Sequence, residues 1–187
     1  DWVRAHLDDP HTVIIDCRFA LNDAQAGRRA YDAGHLPGAF YLDLNQDLSS
    51  PVQTHGGRHP LPNLKQLVTT LEALGISSQP ATQVVAYDAT KSAFAARLWW
   101  LLRYLGHSQV AVLDGGLPAW QAADYPLETQ IPTPPKTGQF TPQVQTHWTV
   151  DRDYILQHQT ASGIVLVDAR SPERYRGEQE PIDPMAG

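Results

Sequence analysis

The stretch "QVVAYDATKSAFAARLWWLLRYLG" at residues 83–106 decides the fold of this chain. It opens with an apolar run, residues 83–88, that ends in a carboxylate, and this pattern is typical of a buried parallel strand. Residues 92–106 then place apolar side chains along one helical face and end at a glycine, which indicates a helix with a C-terminal cap. A strand followed directly by a helix predicts one unit of an α/β protein.

The same alternation extends in both directions from this stretch. Further strands are predicted at residues 12–16, 39–43 and 109–114, and further helices at residues 2–7, 63–76 and 115–123. The polar sequence between the first two strands is interpreted as a turn because it contains glycine and proline. The resulting order predicts a parallel sheet with right-handed crossovers and with helices on both faces.

The composition limits the classes of partner. With 187 residues of which 42% are hydrophobic, the chain can bury one good core and part of a second. A net charge of −6 leaves no broad basic surface, so we expect neither nucleic acid nor a membrane as a partner. The single cysteine, Cys17, cannot form an internal disulfide. This fits a reducing compartment, and we expect a cytoplasmic location.

Residues 126–146 differ in composition from the sequence before them, because they contain five prolines. These prolines exclude a regular helix and disfavour a strand, so the segment is predicted to be an extended linker between domains. A long surface loop within one domain is the alternative. The predicted organisation is therefore a first domain at residues 1–125 and the beginning of a second domain at residues 147–187.

The second domain is predicted from an internal repeat. The sequence "IVLVDAR" at residues 164–170 repeats "VIIDCR" at residues 13–18, and its Asp-x-Arg triplet follows the first one by 152 residues. A helix is predicted before the repeated strand, at residues 149–159, with Thr149 as its N-terminal cap. A repeat at this distance indicates duplicated domains rather than a solenoid.

The second copy of the repeat is incomplete. Gly187 corresponds to Gly34, the glycine of a "GH" pair. About 40 residues cannot bury the repeated strand on both sides by themselves. We therefore expect the chain to be the front of a larger two-domain protein, whose remaining part is cleaved, lies on a separate chain or has been left out.

Several long motifs carry a family resemblance. They are "DCR" at 16–18 with "AGHLPGAFYLDL" at 33–44, "GGRHPLP" at 56–62, "VVAYD" at 84–88 with "SAFAARLWWLLRYLGH" at 92–107, and "VAVLDGGLPAWQAADYPLE" at 110–128. In order and spacing they closely resemble the first domain of the tandem-domain sulfurtransferases. That family comprises the thiosulfate sulfurtransferases, or rhodaneses, and the 3-mercaptopyruvate sulfurtransferases. The resemblance extends over the linker and "DARSPERYRGEQEP" at 168–181.

The resemblance implies two rhodanese domains and a reaction in which a cysteine takes a sulfane sulfur from a small anionic donor. The resulting persulfide passes the sulfur to a thiophilic acceptor such as cyanide. No cofactor and no metal are implied, and the remainder of the C-terminal rhodanese domain is an implied partner. In the family, the cysteine lies in a tight loop between a strand and a helix, where backbone N–H groups stabilise sulfur anions.

Asp88 occupies the position of that cysteine in the first copy, within "VVAYDATKSAFAAR" at residues 84–97. A carboxylate cannot form a persulfide, but it can supply a permanent negative charge to the same ring of N–H donors. The first domain is therefore expected to be catalytically silent, and the catalytic cysteine is expected beyond Gly187. A role of Asp88 as a catalytic acid or base is the alternative, although the motif contains no second carboxylate or histidine.

Arg174 is the predicted substrate-binding residue of this chain. It aligns with the family's substrate-binding arginine, and its guanidinium would bind a thiosulfate oxyanion or a mercaptopyruvate carboxylate in bidentate fashion. Ser171 is a predicted helix cap that would fix the angle of Arg174. The alternatives are a surface ion pair of Arg174 with Glu173 or Glu178, and Arg176 as the binding residue.

Other reactive side chains are interpreted as structural. Cys17 is expected to be a small buried residue without an activating loop. The pairs Asp16 with Arg18 and Asp168 with Arg170 are expected to fix loops. His55 and His59 lack the further ligands that a metal site needs, and Arg58 and His59 are left as candidates for an interdomain wall. His35 is expected to be a hydrogen-bonded turn histidine rather than a catalytic base. Lys91 and Arg97 are expected to form a local charge pair with Asp88.

Two competing functions remain at this point. The chain could belong to a non-catalytic rhodanese-like module used for binding or regulation, or to a phosphatase of the same fold, which would also need a loop cysteine. The choice between thiosulfate and 3-mercaptopyruvate depends on the family's catalytic loop, which these residues do not include. The sequences "GEQEP" and "GGRHPLP" favour the mercaptopyruvate branch.

Overall fold

The chain consists of two units that are described separately. The computed structural model describes residues 1–54, 57–134 and 136–182. The first unit comprises residues 1–146, and the second comprises residues 147–187. The boundary lies within the short 3-10 helix Thr146–Trp148.

The first unit is built on one parallel sheet. Its strands β1 to β4 are Thr12–Asp16, Phe40–Tyr41, Gln83–Tyr87 and Val110–Val112, and they lie in the order β2-β1-β3-β4. All three neighbouring pairs are parallel. The register pairs Asp16 with Tyr87 at the carboxyl ends of the two central strands. The predicted parallel sheet is confirmed, although β2 and β4 are shorter than predicted.

Helices cover both faces of the sheet. In the first unit, helices α1 to α5 are Trp2–Ala5, Ala26–Ala33, Leu64–Ala73, Ala95–Tyr104 and Gly116–Ala122. Val13 and Ile15 of β1 belong to a core with residues of α3 and α4, whereas Ile14 belongs to a second core with Leu117 and Trp120 of α5. Alternate strand residues therefore face opposite helical layers, as predicted. Within the described ranges, no helix combines the length and the apolar composition that a membrane crossing requires.

Helix α2 lies in the polar sequence between β1 and β2 and was not predicted, whereas the turn predicted from glycine and proline is present after the helix, at Pro37 and Gly38. The helix has few large apolar residues to mark a buried face, since its buried residues are Gly27 and Tyr31. A Cβ atom on Gly27 would lie 1.9 Å from the carbonyl oxygen of Arg18, so the helix approaches the loop after β1 at a distance that only glycine permits. The Tyr31 hydroxyl donates to the carbonyl oxygen of Ala39 at 2.7 Å, which fixes the helix to the start of β2.

The proline-rich segment contains no helix and no strand in its described residues 126–134 and 136–145, as predicted, and hydrogen bonds and packing hold it against the rest of the first unit. Glu128 exchanges two backbone hydrogen bonds of 2.9 Å with His35. Phe140 is buried in the core of α3 and α4, and the N–H of Gln143 donates to the carbonyl of Leu105 at 2.8 Å. This arrangement corresponds to the alternative of a long surface loop. The role of the segment as a connection between two homologous domains stays a prediction.

The second unit contains helix α6, Arg152–His158, and helix α7, Pro172–Tyr175. The predicted cap Thr149 is wrong, because the Asp151 carboxylate caps α6 by accepting the N–H of Tyr154 at 2.7 Å. The predicted strand at residues 164–170 is also wrong for this structure, since a strand requires a paired neighbour and the described part of this unit offers none. Gly187, the predicted end of the repeat, lies outside the described residues.

Candidate functional site

The loop between β3 and α4 forms a ring of hydrogen-bond donors around Asp88. One carboxylate oxygen accepts the N–H groups of Thr90 at 2.7 Å and Ser92 at 3.0 Å. The other accepts the N–H groups of Phe94 at 2.8 Å and Ala95 at 2.9 Å, at the start of α4. Asp88 is only 1% exposed. Four backbone donors therefore converge on one buried carboxylate, as the resemblance implies.

The backbone of this loop adopts a conformation that ordinary residues disfavour. Lys91 and Ser92 have φ angles of 56° and 67°, in the left-handed region, where a side chain costs about 1–2 kcal/mol per residue. Hydrogen bonds to a charged acceptor are each worth about 1.5–3 kcal/mol. The four bonds to Asp88 outweigh the backbone cost, so the carboxylate holds the loop in its ring conformation.

The predicted charge pair of Asp88 with Lys91 and Arg97 is wrong. Among the described residues no ion pair joins Asp88 to either cation. The Arg97 guanidinium instead donates to backbone carbonyls at 2.9–3.2 Å. Those carbonyls belong to Leu48, His59 and Pro60. Burial lowers the pKa of Arg97, and the carbonyl oxygens replace the water that this cation loses.

Cys17 lies behind the ring loop, at the end of β1, and is 1% exposed. Burial raises the pKa of its thiol well above the usual value, and the negative charges of Asp16, Asp88 and Asp47 raise it further. Because the thiolate is the nucleophilic form of cysteine, this environment makes Cys17 inert. The contacts agree with the structural interpretation of this residue.

Asp16 and Arg18 form a buried ion pair beside Cys17. The guanidinium contacts the carboxylate at 2.6–3.1 Å and also donates to the carbonyl of Gly34 at 2.7 Å. The Asp16 carboxylate accepts the N–H of Arg18 at 2.9 Å and the hydroxyl of Tyr87 at 2.7 Å. These contacts tie the loop after β1 to the end of α2, which is the predicted structural role.

The loop histidines considered from the sequence form hydrogen bonds with separate partners. The buried His35 ring contacts the carbonyl oxygens of Tyr31 at 2.8 Å and Gln130 at 3.2 Å. The His59 ring contacts the amide oxygen of Asn45 at 3.1 Å. His55 lies outside the described residues. In the described parts of the chain, no three side chains of His, Cys, Asp or Glu lie close enough to hold a metal ion.

The second unit repeats the hydrogen-bond pattern of the first Asp-x-Arg triplet. The N–H of Arg170 donates to Asp168 at 2.8 Å, and the guanidinium contacts the same carboxylate at 2.7–3.1 Å. The same set of donors and acceptors joins Arg18 to Asp16. The second domain copy stays a prediction.

Arg174, the predicted substrate-binding residue, lies in α7. Ser171 and Pro172 take the predicted cap and first helical positions, although the Ser171 side chain makes no cap hydrogen bond. The guanidinium forms a bidentate ion pair with Glu180, with contacts of 2.8, 2.9 and 3.2 Å. This partner is neither of the two glutamates considered from the sequence.

Two site features were missed by the sequence analysis. Glu180 follows Arg174 by six residues, beyond the end of α7, so the helical spacing rules for ion pairs do not reach it. The carbonyl partners of Arg97 belong to an irregular loop 37 to 49 residues earlier in the chain. Only the acidic "GEQEP" sequence at 177–181 offers a signal, since it supplies carboxylates near an arginine.

Comparison with known proteins identifies the family of this chain. The chain is 44% identical over 185 residues to a probable 3-mercaptopyruvate sulfurtransferase of Pseudomonas aeruginosa, covering 98% of this chain and 64% of that protein. It is 40% identical over 182 residues to the putative thiosulfate sulfurtransferase SseB of Mycobacterium tuberculosis, covering 93% of this chain and 60% of the relative. The chain thus spans somewhat less than two thirds of the length of these relatives.

A solved structure agrees with the fold. The crystal structure of SseA from Escherichia coli, described as a 3-mercaptopyruvate sulfotransferase with the rhodanese fold, superposes with a TM-score of 0.84 at 29% identity. The match covers 98% of this chain and 68% of that chain. Residues 1–123 also match the family of the rhodanese-like domain. The chain therefore belongs to the rhodanese family.

Proposed function

We propose that the protein containing this chain is a sulfurtransferase whose reacting cysteine lies outside residues 1–187. With thiosulfate, that thiolate attacks the outer sulfur, the S–S bond breaks and sulfite leaves. With 3-mercaptopyruvate, it attacks the thiol sulfur, the C–S bond breaks, and the leaving pyruvate enolate takes up the thiol proton. Either donor converts the cysteine to a persulfide. Cyanide or another thiophilic acceptor then attacks the outer sulfur and restores the thiolate. The names of the relatives support this reaction class.

One observation carries the assignment of roles. The loop expected to hold a nucleophile instead holds the Asp88 carboxylate, which engages four backbone N–H groups. An oxygen acid cannot accept a sulfane sulfur, and the one thiol of the chain, Cys17, is buried. The first unit is therefore a silent rhodanese domain that supports a catalytic one. The repeated Asp-x-Arg geometry supports placing residues 147–187 at the start of that second domain.

Arg174 supplies the anion-binding group of the proposed reaction. A planar guanidinium matches both a thiosulfate oxyanion and a carboxylate. The identity to the Pseudomonas protein favours 3-mercaptopyruvate as the donor. A cytoplasmic location also belongs to the proposal, because the reducing compartment suits an enzyme that works through free thiols.

Cyanolysis by the full-length protein tests the proposal. Thiocyanate formation is measured with thiosulfate and with 3-mercaptopyruvate, for the full-length protein and for residues 1–187 alone. We expect turnover with the full-length protein and none with the 187 residues. Turnover by the shorter chain would refute the silent role of the first unit.

A non-catalytic binding module is the second candidate function. The hydrogen bonds of Asp88 favour it, because they occupy the loop in which a nucleophile of this domain would lie. The same assay separates the two candidates. If the full-length protein transfers no sulfur from either donor, the binding module is the better description.

A further inference from the structure

Glu180 makes a specific contact with Arg174. Its two carboxylate oxygens accept hydrogen bonds from Nε and Nη2 of Arg174 at 2.8–3.2 Å. This geometry fixes the plane of the guanidinium as well as its position, because both oxygens and two nitrogens take part. A single contact would leave the guanidinium free to rotate.

Burial distinguishes this ion pair from its neighbour in the sequence. The Glu180 side chain is 5% exposed and the Arg174 side chain 19% exposed. The adjacent pair of Arg176 and Glu178 has side chains that are 51% and 55% exposed. An exposed pair of this kind is screened by water and holds neither side chain firmly. The Glu180 side chain is thus held in place, whereas the Glu178 side chain makes the same kind of ion pair at an exposed position.

Further contacts hold Glu180 itself in place. Its Oε1 atom accepts the N–H of Ile182 at 3.1 Å. Its Oε2 atom lies 3.8 Å from Nη1 of Arg170, which is paired in turn with Asp168. The charged groups therefore alternate in sign in the order Asp168, Arg170, Glu180 and Arg174. Because each group contacts the next, the Asp-x-Arg triplet helps to fix the position of the Arg174 guanidinium.

We propose that Glu180 is a positioning residue for the donor anion, because it sets the orientation in which Arg174 meets the donor. This inference rests on the proposed function, in which Arg174 binds the sulfur donor. It also assigns a role to the Asp168–Arg170 pair, which anchors Glu180.

The opposite role for Glu180 makes the opposite prediction. If its carboxylate only fills the place of the donor anion, its removal unmasks the positive charge of Arg174 and lowers KM. If it orients Arg174, its removal releases a long and flexible side chain and raises KM. The contacts with Ile182 and Arg170 favour orientation, since a group held from several sides is costly to displace.

The test uses Glu180→Gln in the full-length protein, with Glu178→Gln as the matched control. Steady-state cyanolysis gives KM and kcat for the donor, and KM for cyanide. We expect Glu180→Gln to raise the donor KM roughly tenfold with kcat within about twofold and an unchanged cyanide KM. Glu178→Gln should leave all three constants at their wild-type values. A donor KM that falls or does not change would overturn the inference.

A double-mutant cycle separates positioning from a general effect on stability. In an Arg174→Gln background, Glu180→Gln should add no further increase in donor KM, because the residue it orients is absent. Additive effects would overturn the inference. Glu180→Asp, which keeps the charge and shortens the reach, serves if Glu180→Gln does not fold, and its donor KM should also rise. Wild-type protein without cyanolysis would overturn the proposed function, whereas active protein with an unaltered Glu180→Gln KM overturns this inference alone.

Discussion

Replacement of Asp88 by asparagine tests how strongly the buried carboxylate holds its loop. The amide keeps the size of the side chain but turns one acceptor oxygen into an N–H donor. Two of the four backbone donors then face another donor instead of an oxygen. A hydrogen bond to a charged group contributes about 1.5–3 kcal/mol, so the loss of two predicts a destabilisation of roughly 4 kcal/mol.

Urea unfolding of the whole chain measures this loss. Trp120, buried against the second face of the sheet, provides a fluorescence signal from the first unit. With a slope of about 2 kcal/mol per molar urea, the midpoint should fall by roughly 2 M. Asp23→Asn is the control, because Asp23 forms an exposed ion pair with Arg29, and its midpoint should not move measurably. Equal midpoints for the two variants would refute the account of the ring.

Three further predictions concern other residues. Arg174→Ala in the full-length protein should raise the donor KM by about a hundredfold while the protein still folds, and an unchanged KM in cyanolysis would exclude Arg174 from the donor site. An alkylating probe at pH 8 should label Cys17 at least about a hundred times more slowly in native protein than in urea, and fast native labelling would contradict its inert environment. Asp47→Asn should be more stable than wild type at pH 7 and equal to it near pH 3. Burial raises the pKa of Asp47 in the folded protein. The contribution of Asp47 to the free energy of unfolding is therefore fully present below about pH 4, where the carboxyl is protonated in both states. It is lost as the pH rises through the folded-state pKa, because the buried group must then carry a charge. Unfolding midpoints at the two pH values test this, and a variant less stable at pH 7 would contradict it.

The sheet and its two helical layers were predictable because their signals are local. Apolar runs of four to six residues mark buried strands, and the spacing in Leu64–Ala73 marks a helix face. Helix α2 was not predictable in this way, since the residues it buries are one glycine and one tyrosine. The strand predicted at residues 164–170 failed for the opposite reason. Its sequence is suited to a strand, but pairing depends on a neighbour that no local pattern supplies.

The candidate site was predictable where one residue determines the geometry. The ring of N–H donors around Asp88 was predicted because its sequence resembles the family's cysteine loop, and the observed hydrogen bonds agree with that expectation. The partners of Arg97 and Arg174 were not predictable, because both arginines bind acceptors in irregular backbone or beyond a helix end. A long side chain can reach many acceptors, and sequence spacing alone does not select among them.

The fastening of residues 126–146 has a practical consequence for recombinant fragments. The match to the rhodanese-like domain family ends at residue 123, but the folded unit continues to residue 146. A fragment cut at the shorter limit would lose Phe140 from the hydrophobic interior and uncover the Leu105 carbonyl that Gln143 satisfies. We expect this shorter fragment to expose apolar core residues and to aggregate. A fragment that extends through residue 146 keeps Phe140 in the core.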